Sequence, residues 1–232
     1  MRINSIYLAT EGEGIWIGTV QIFVRFNGCG MGCDNCDSSY TWSFNGGLEM
    51  SLAEVLAEIH KVGHNGLIKR VSITGGDPLD CKNYDSAMSL AKSLKEKSYY
   101  LNIEASGDRV AKDLFGLVDF ISMDYKTPSS GVKTPLSVIT QMIDQFSGKF
   151  QVKSVIENTQ DFEYVKNAYA EIKKCIGGIN FSWVLTPSYN TNETFPKVRF
   201  ENILNWNESC GGHFRVVGQQ HKWVYGAKKT NV

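Results

Sequence analysis

The chain has 232 residues, long enough to bury a full core as a single domain over 1–232 and too short for a second one. Lys and Arg together number 24 and Asp and Glu 24, so no net field gathers polyanions and nucleic acid is not an expected partner. Met1–Thr10 has one basic residue and no apolar run of signal-peptide length, and nowhere do about 18 apolar residues follow one another, so a cytoplasmic protein without a membrane span is expected.

Taken in chain order, the first apolar, β-rich segment is Gln21–Phe26, followed by Arg70–Ile73, Tyr100–Glu104, Phe120–Met123, Phe150–Ile156, Phe181–Leu185 and Phe214–Val217. Helical patterns separate most of them. The first places Leu52, Val55, Leu56 and Ile59 on one face behind a capping box of Ser51 and Glu54. Others start near Asn83, at Thr134-Pro135, read as a cap followed by proline at the first helical position, and near Asp161. Alternation of this kind predicts an α/β fold built from βα units on a parallel sheet. The strands are too few for a closed eight-stranded barrel, so an incomplete TIM-like barrel is expected, with a doubly wound open sheet as the alternative. Either architecture puts the functional site at the C-terminal ends of the strands. Thr127–Lys133 and Pro187–Glu193 are polar loops too short to be domain linkers.

Of six cysteines, Cys29, Cys33 and Cys36 crowd into one Gly-rich loop directly after the first strand. A chain with an ample core has no need of disulfides, so metal is the expected use of this group. Short spacings let one loop wrap an iron–sulfur cluster while glycines relax the backbone, and three thiolates for four irons leave one iron open. Zinc, with Asp37 or a distant histidine as fourth ligand, is the alternative. Cys81, Cys175 and Cys210 are scattered and read as small buried apolar residues rather than ligands of a second cluster. Trp42, Tyr40 and Phe44 are expected in the core or shielding the cluster, and His60 and His64 at the surface.

The Cys29, Cys33, Cys36 spacing resembles the radical S-adenosylmethionine superfamily, whose defining motif it is. The resemblance implies a [4Fe-4S] cluster whose open iron is chelated by S-adenosyl-L-methionine, and an adenosyl radical on one-electron reduction. It also implies that Thr74-Gly75-Gly76-Asp77-Pro78 holds the methionine ammonium, with Asp77 where Glu is usual, and that Glu104 and Ser106 bind the ribose. Lys126 is implied for the methionine carboxylate, and Asp37 belongs with the same cofactor-binding set.

Further segments narrow the likeness. Glu11-Gly12-Glu13, the Arg25-Phe26 lead into the cysteines, Cys36-Asp37-Ser38 leading out, and Gln219-Gln220-His221-Lys222 together resemble the family of 7-carboxy-7-deazaguanine synthases, nearly end to end. That resemblance implies a pterin substrate, 6-carboxy-5,6,7,8-tetrahydropterin, converted to the deazapurine with loss of ammonia. Carried over residue by residue, Glu11, Gly12, Glu13, Arg25 and His221 are substrate contacts, and the Ser38 hydroxyl is a Mg²⁺ ligand. Lys153 also falls where relatives carry lysine. The implied partners are a flavodoxin- or ferredoxin-type reductant and a second copy in a homodimer. Three positions depart from the pattern: Glu11 for Gln, Asp124-Tyr125-Lys126 for Ser-Pro-Lys, and Thr186 for Gln. A glycyl-radical activating enzyme and a non-catalytic metal-binding module are the alternatives.

Overall fold

A computed structural model describes residues 1–232. Strand β1 (Arg2–Thr10) has no counterpart in the sequence reading, because its polar and apolar residues alternate only weakly and its partner is not local in type. It runs antiparallel to β2 (Val20–Phe26), and the segment between them folds back at one end of the sheet. A two-residue strand, β3 (Leu48–Glu49), pairs with the other edge of β1.

From β2 onward the sheet is parallel: β4 (Arg70–Gly75), β5 (Tyr100–Ala105), β6 (Phe120–Asp124), β7 (Phe150–Ile156), β8 (Ser182–Pro187) and β9 (Arg215–Val216) follow in order. Helices α1 (Leu52–Val62), α2 (Tyr84–Glu96), α3 (Lys112–Leu117), α4 (Leu136–Phe146), α5 (Thr159–Ile176) and α6 (Lys197–Ser209) connect them, and α7 (Gln220–Tyr225) follows β9. The nine-stranded order β3-β1-β2-β4-β5-β6-β7-β8-β9 leaves both edges unpaired, so the sheet is an incomplete barrel as expected, not a doubly wound sheet.

Local chemistry explains the helix ends. Ser51 and Glu54 form the capping box at α1, with Glu54 Oε2 accepting from Ser51 N at 2.7 Å. Asn158 caps α5 by accepting from Asp161 N at 3.1 Å, and Gly177 ends it in the left-handed conformation. The expected cap at Thr134 is absent. Thr134 Oγ1 instead accepts from Lys126 N at 2.9 Å, because the loop after β6 needs a partner there, and α4 starts behind Pro135 uncapped.

The strands alternate in a way that positions the site. Ile22, Val24, Val71, Ile73, Leu101, Ile103, Ile121 and Val152 are fully buried against the helices. Their neighbours face the barrel interior and are polar. Gln21, Ser72, Asn102, Ser122 and Gln151 form a buried belt at the N-terminal end of the parallel strands, with Asn102 Nδ2 donating to Ser72 Oγ and Gln151 Nε2 to Ser122 Oγ, both at 2.8 Å. The Glu11–Thr19 segment closes that end: Ile15 N donates to Gln151 Oε1 at 2.8 Å. A polar interior floored in this way is a binding cavity rather than a packed core, and it opens toward the C-terminal strand ends.

Candidate active site

The cysteine loop begins where β2 ends. Gly28 has φ +100, accepts Asp77 N at 2.9 Å and Asn83 Nδ2 at 3.0 Å on its carbonyl, and is covered by the Phe44 ring. A Cβ at Gly76 would stand 2.3 Å from that carbonyl oxygen, so the Thr74–Pro78 turn can nest on the cysteine loop only with glycine there. Cys29 N donates to Trp42 O at 3.1 Å, Asp34 N to Ser130 O at 2.9 Å, and Met31 N approaches Cys29 Sγ at 3.5 Å. All three thiols are free, and burial pushes Cys29 and Cys33 above the usual thiol range, with Lys126 pulling Cys33 back. No three His, Cys, Asp or Glu side chains converge on one point that would hold a single ion. Three free thiols on one glycine-rich loop are the donor set that an iron–sulfur cluster takes.

Beside the loop lies a cavity of about 590 Å³, lined by every residue that the family resemblance gave a cluster, cofactor, substrate or Mg²⁺ role: Glu11, Gly12, Glu13, Arg25, Cys29, Cys33, Cys36, Asp37, Ser38, Thr74–Asp77, Glu104, Ser106, Lys126 and His221. At the end nearest the cysteines, Asp77 accepts from Leu79 N at 2.9 Å and lies 3.3 Å from Ser106 Oγ. Burial raises its pKa to about 6, against the Leu79 N–H that favours ionisation. Lys126 Nζ stands 2.7 Å from Asp124 Oδ2; burial would discharge it, but Asp124 and Cys33 outweigh that and hold its pKa above the usual value. The Asp124 departure thus gives Lys126 a counter-ion. Thr186 does not line the cavity; its hydroxyl is buried without a partner.

The middle of the cavity is charged. Lys153 Nζ binds Glu104 Oε2 at 2.7 Å and Glu13 Oε2 at 3.5 Å, and these carboxylates raise its pKa well above normal despite burial. Glu11 Oε2 accepts from Gln21 Nε2 at 2.6 Å and Oε1 from Glu13 N at 3.2 Å. Burial, then Glu104, raise its pKa to about 7 against Lys153. Asp37 shows the opposite result: burial is outweighed by Lys222, Arg25 and His221, which keep it below the usual carboxylate range. Arg25 donates to Tyr7 Oη at 3.1 Å, while its buried Nε has no partner, a donor left for an acceptor group in the cavity.

The C-terminal segment completes the wall. Gln220 N donates to Gly12 O at 2.9 Å, Gln219 Nε2 to Glu13 Oε1 at 2.7 Å, and a Cβ at Gly12 would meet His221 Nδ1 at 2.2 Å. Gly12 therefore serves close approach of the two chain segments.

Tyr40, Trp42 and Phe44 stay out of the core and lie around the cysteine loop instead, the other half of what was expected of them: the loop after Cys36 folds back, so Tyr40 and Trp42 line the cavity and Phe44 covers Gly28 beneath Lys82. Cys81 and Cys175 are exposed, not buried. Lys126 and Lys153 are half-buried ion-pair partners where solvated lysines are the ordinary case. Gln21, Gln219, Lys222 and Ser188 were not anticipated as part of the site. Parity along β2 marks Gln21 as inward-facing, Ser188 lies one residue past β8, and the Gln219–Lys222 segment carried the family resemblance without giving Gln219 or Lys222 a role.

Residues 23–194 match the radical SAM superfamily, so fold and cysteine site define an enzyme of that class, which uses a [4Fe-4S] cluster, S-adenosylmethionine, a one-electron reductant and a small-molecule substrate. The chain is 33% identical to the 7-carboxy-7-deazaguanine synthase of Koribacter versatilis over the whole of both chains. It is 29% identical to that of Pyrobaculum aerophilum, over 97% of this chain and 95% of the relative. The crystal structure of QueE from Escherichia coli superposes with a TM-score of 0.66 at 19% identity, covering 95% of this chain and 94% of that one. The chain belongs to the 7-carboxy-7-deazaguanine synthase family, which sets aside the activating-enzyme and metal-module alternatives.

Proposed function

We propose that the chain converts 6-carboxy-5,6,7,8-tetrahydropterin to 7-carboxy-7-deazaguanine with release of ammonia, and that Mg²⁺ assists. The observation that carries this is one cavity whose wall holds the cysteine loop, a guanidinium with an unpartnered buried N–H, and half-buried carboxylates. Cys29, Cys33 and Cys36 would hold the cluster; Thr74, Gly75, Gly76 and Asp77 offer acceptors to the methionine ammonium, and Lys126 a cation to its carboxylate. Glu104 and Ser106 suit ribose hydroxyls. Bound S-adenosylmethionine supplies the radical that abstracts a substrate hydrogen.

The chain's own residues orient the pterin and exclude water. Arg25 grips the substrate carboxylate, Glu13 accepts from the N–H groups of the aminopyrimidinone edge, and His221 and Gly12 close the pocket over it. Ser38 and the ionised Asp37 are adjacent hard oxygens suited to Mg²⁺. A flavodoxin- or ferredoxin-type protein is the electron donor in this reading, and a cytoplasmic homodimer the working form.

Anaerobic turnover with dithionite, S-adenosylmethionine, Mg²⁺ and the tetrahydropterin, followed by mass spectrometry, tests it. Deazapurine and ammonia in equal amounts are expected. Release of 5′-deoxyadenosine without deazapurine would remove the pterin assignment and leave the radical class.

A further inference from the structure

Three carboxylates, Glu11, Glu13 and Glu104, share the inner part of the cavity with one ammonium, Lys153. Lys153 is within ion-pair distance of Glu104 and Glu13, but not of Glu11. Glu11 is held by neutral donors instead, the Gln21 amide and the Glu13 backbone N–H. Gln21 is fully buried, and its Oε1 accepts from Arg70 Nε at 3.2 Å. Arg70 has only donors, so the Gln21 amide can point just one way: oxygen to Arg70, nitrogen to Glu11. Arg70 is itself held between the rings of Trp16 and Tyr100, at 5.0 and 4.1 Å from their centroids.

Both Glu11 oxygens thus accept a protein N–H, and each keeps one further position free. With no cation partnering it and two carboxylates nearby, a proton on one of those positions relieves the charge without costing either hydrogen bond.

We propose that Glu11 meets the substrate as a neutral carboxyl and donates its proton in a hydrogen bond to the heterocycle, with Gln21 and Arg70 as positioning residues that fix its rotation. The inference rests on the pterin reading above. The edge of a 2-aminopyrimidin-4-one carries N–H donors next to a carbonyl acceptor. Ionised Glu13 suits the donors; an ionised Glu11 beside it would set an acceptor against the carbonyl, whereas a neutral one supplies the matching O–H. One charged and one neutral carboxyl together then select this edge over an edge of donors alone.

Charge around Glu11 comes from Glu13 on its own loop, Glu104 on β5 and Lys153 on β7; Arg70 on β4 reaches it through Gln21, and His221 of α7 packs on the neighbouring Gly12. Together they leave its carboxyl titrating at about 7, so the donor is present below that pH and lost above it.

The test is equilibrium binding of the tetrahydropterin to cluster-loaded enzyme with S-adenosylmethionine, anaerobic and without reductant, across a pH range bracketing about 7. The wild-type Kd should rise about tenfold per pH unit above the transition, as loss of one proton requires. Glu11→Gln should lose that component of the pH dependence, which separates it from His221 and Asp77, and Glu11→Ala should bind weakly throughout. Infrared spectra of the substrate-free protein give a second readout: a protonated-carboxyl band that titrates near about 7, is absent in Glu11→Gln and moves in Gln21→Leu. Tight binding that is flat in pH, or a Glu11 ionised throughout, overturns the proposal alone. No binding of the pterin at any pH overturns the pterin reading and the proposal with it.

Discussion

Two carboxylates lining this cavity settle their charge in opposite ways. Asp37 is kept ionised by the cations around it, while Glu11, without an ion pair, is pushed up to about 7. For stability the sign follows: an unfolded Glu11 ionises near 4.5 and the folded one near 7, so the folded state binds the extra proton and stability falls as pH rises through that window. Glu11→Gln should therefore be more stable than wild type above about pH 7, by up to about 3 kcal/mol, and lose the slope, which urea titrations at several pH values would measure. Equal stabilities above the window would mean Glu11 is relieved by water or by Lys153. At the other end of the cavity, Cys33 is 7% exposed and one of only three thiols available to the cluster. Cys33→Ala should give a folded, colourless protein without iron, by circular dichroism and iron assay, because a two-thiolate remnant does not hold a cubane. Full iron loading would move the cluster elsewhere.

Among elements, the two loops that follow β2 and β4 act as one unit. Asp77 N and Asn83 Nδ2 both bind the Gly28 carbonyl, and Gly75 and Gly76 leave room for Phe26 and Gly28. A methyl group at Gly76 has no space against backbone, so Gly76→Ala must shift one loop off the other. The expected outcome is a cost of about 1–3 kcal/mol, with iron retention and S-adenosylmethionine affinity both reduced. Denaturant unfolding and iron content after gel filtration check the two parts separately. Retention of both would show that the cysteine loop has slack that its hydrogen bonds do not suggest.

At the scale of the whole molecule, an open sheet has to wall its cavity with something other than strands. Here the chain's two ends do it, through Gln220 N to Gly12 O and Gln219 Nε2 to Glu13 Oε1. Gln219→Ala removes the side-chain link and leaves Glu13 with one partner fewer. Hydrogen exchange at the Gln220 amide should accelerate, and KM should rise about tenfold, the effect of roughly one charge-assisted hydrogen bond, with kcat less affected. Unchanged exchange would mean that α7 is held by Lys222 and its bond to Tyr189 O at 2.7 Å alone.

What the sequence by itself determined is the chemistry that depends on neighbours in the chain. The three-cysteine spacing, the Gly-Gly-Asp-Pro turn, the capping box at Ser51 and the polar–apolar alternation of the strands are short-range patterns, and the incomplete barrel follows from them. Only the tertiary structure decided what depends on the register and curvature of the sheet. It placed Glu11 beside Glu104 of β5 and Lys153 of β7, turned Thr134 from a helix cap into a loop ligand, and brought Gln219 to Glu13, 206 positions away in the chain. β1 escaped the reading for the same reason: its place is set by pairing with β2 and β3, not by its own period. The electrostatics of the site depend on those long-range contacts, because a carboxylate's proton affinity is set by what surrounds it in space, which no spacing along the chain records.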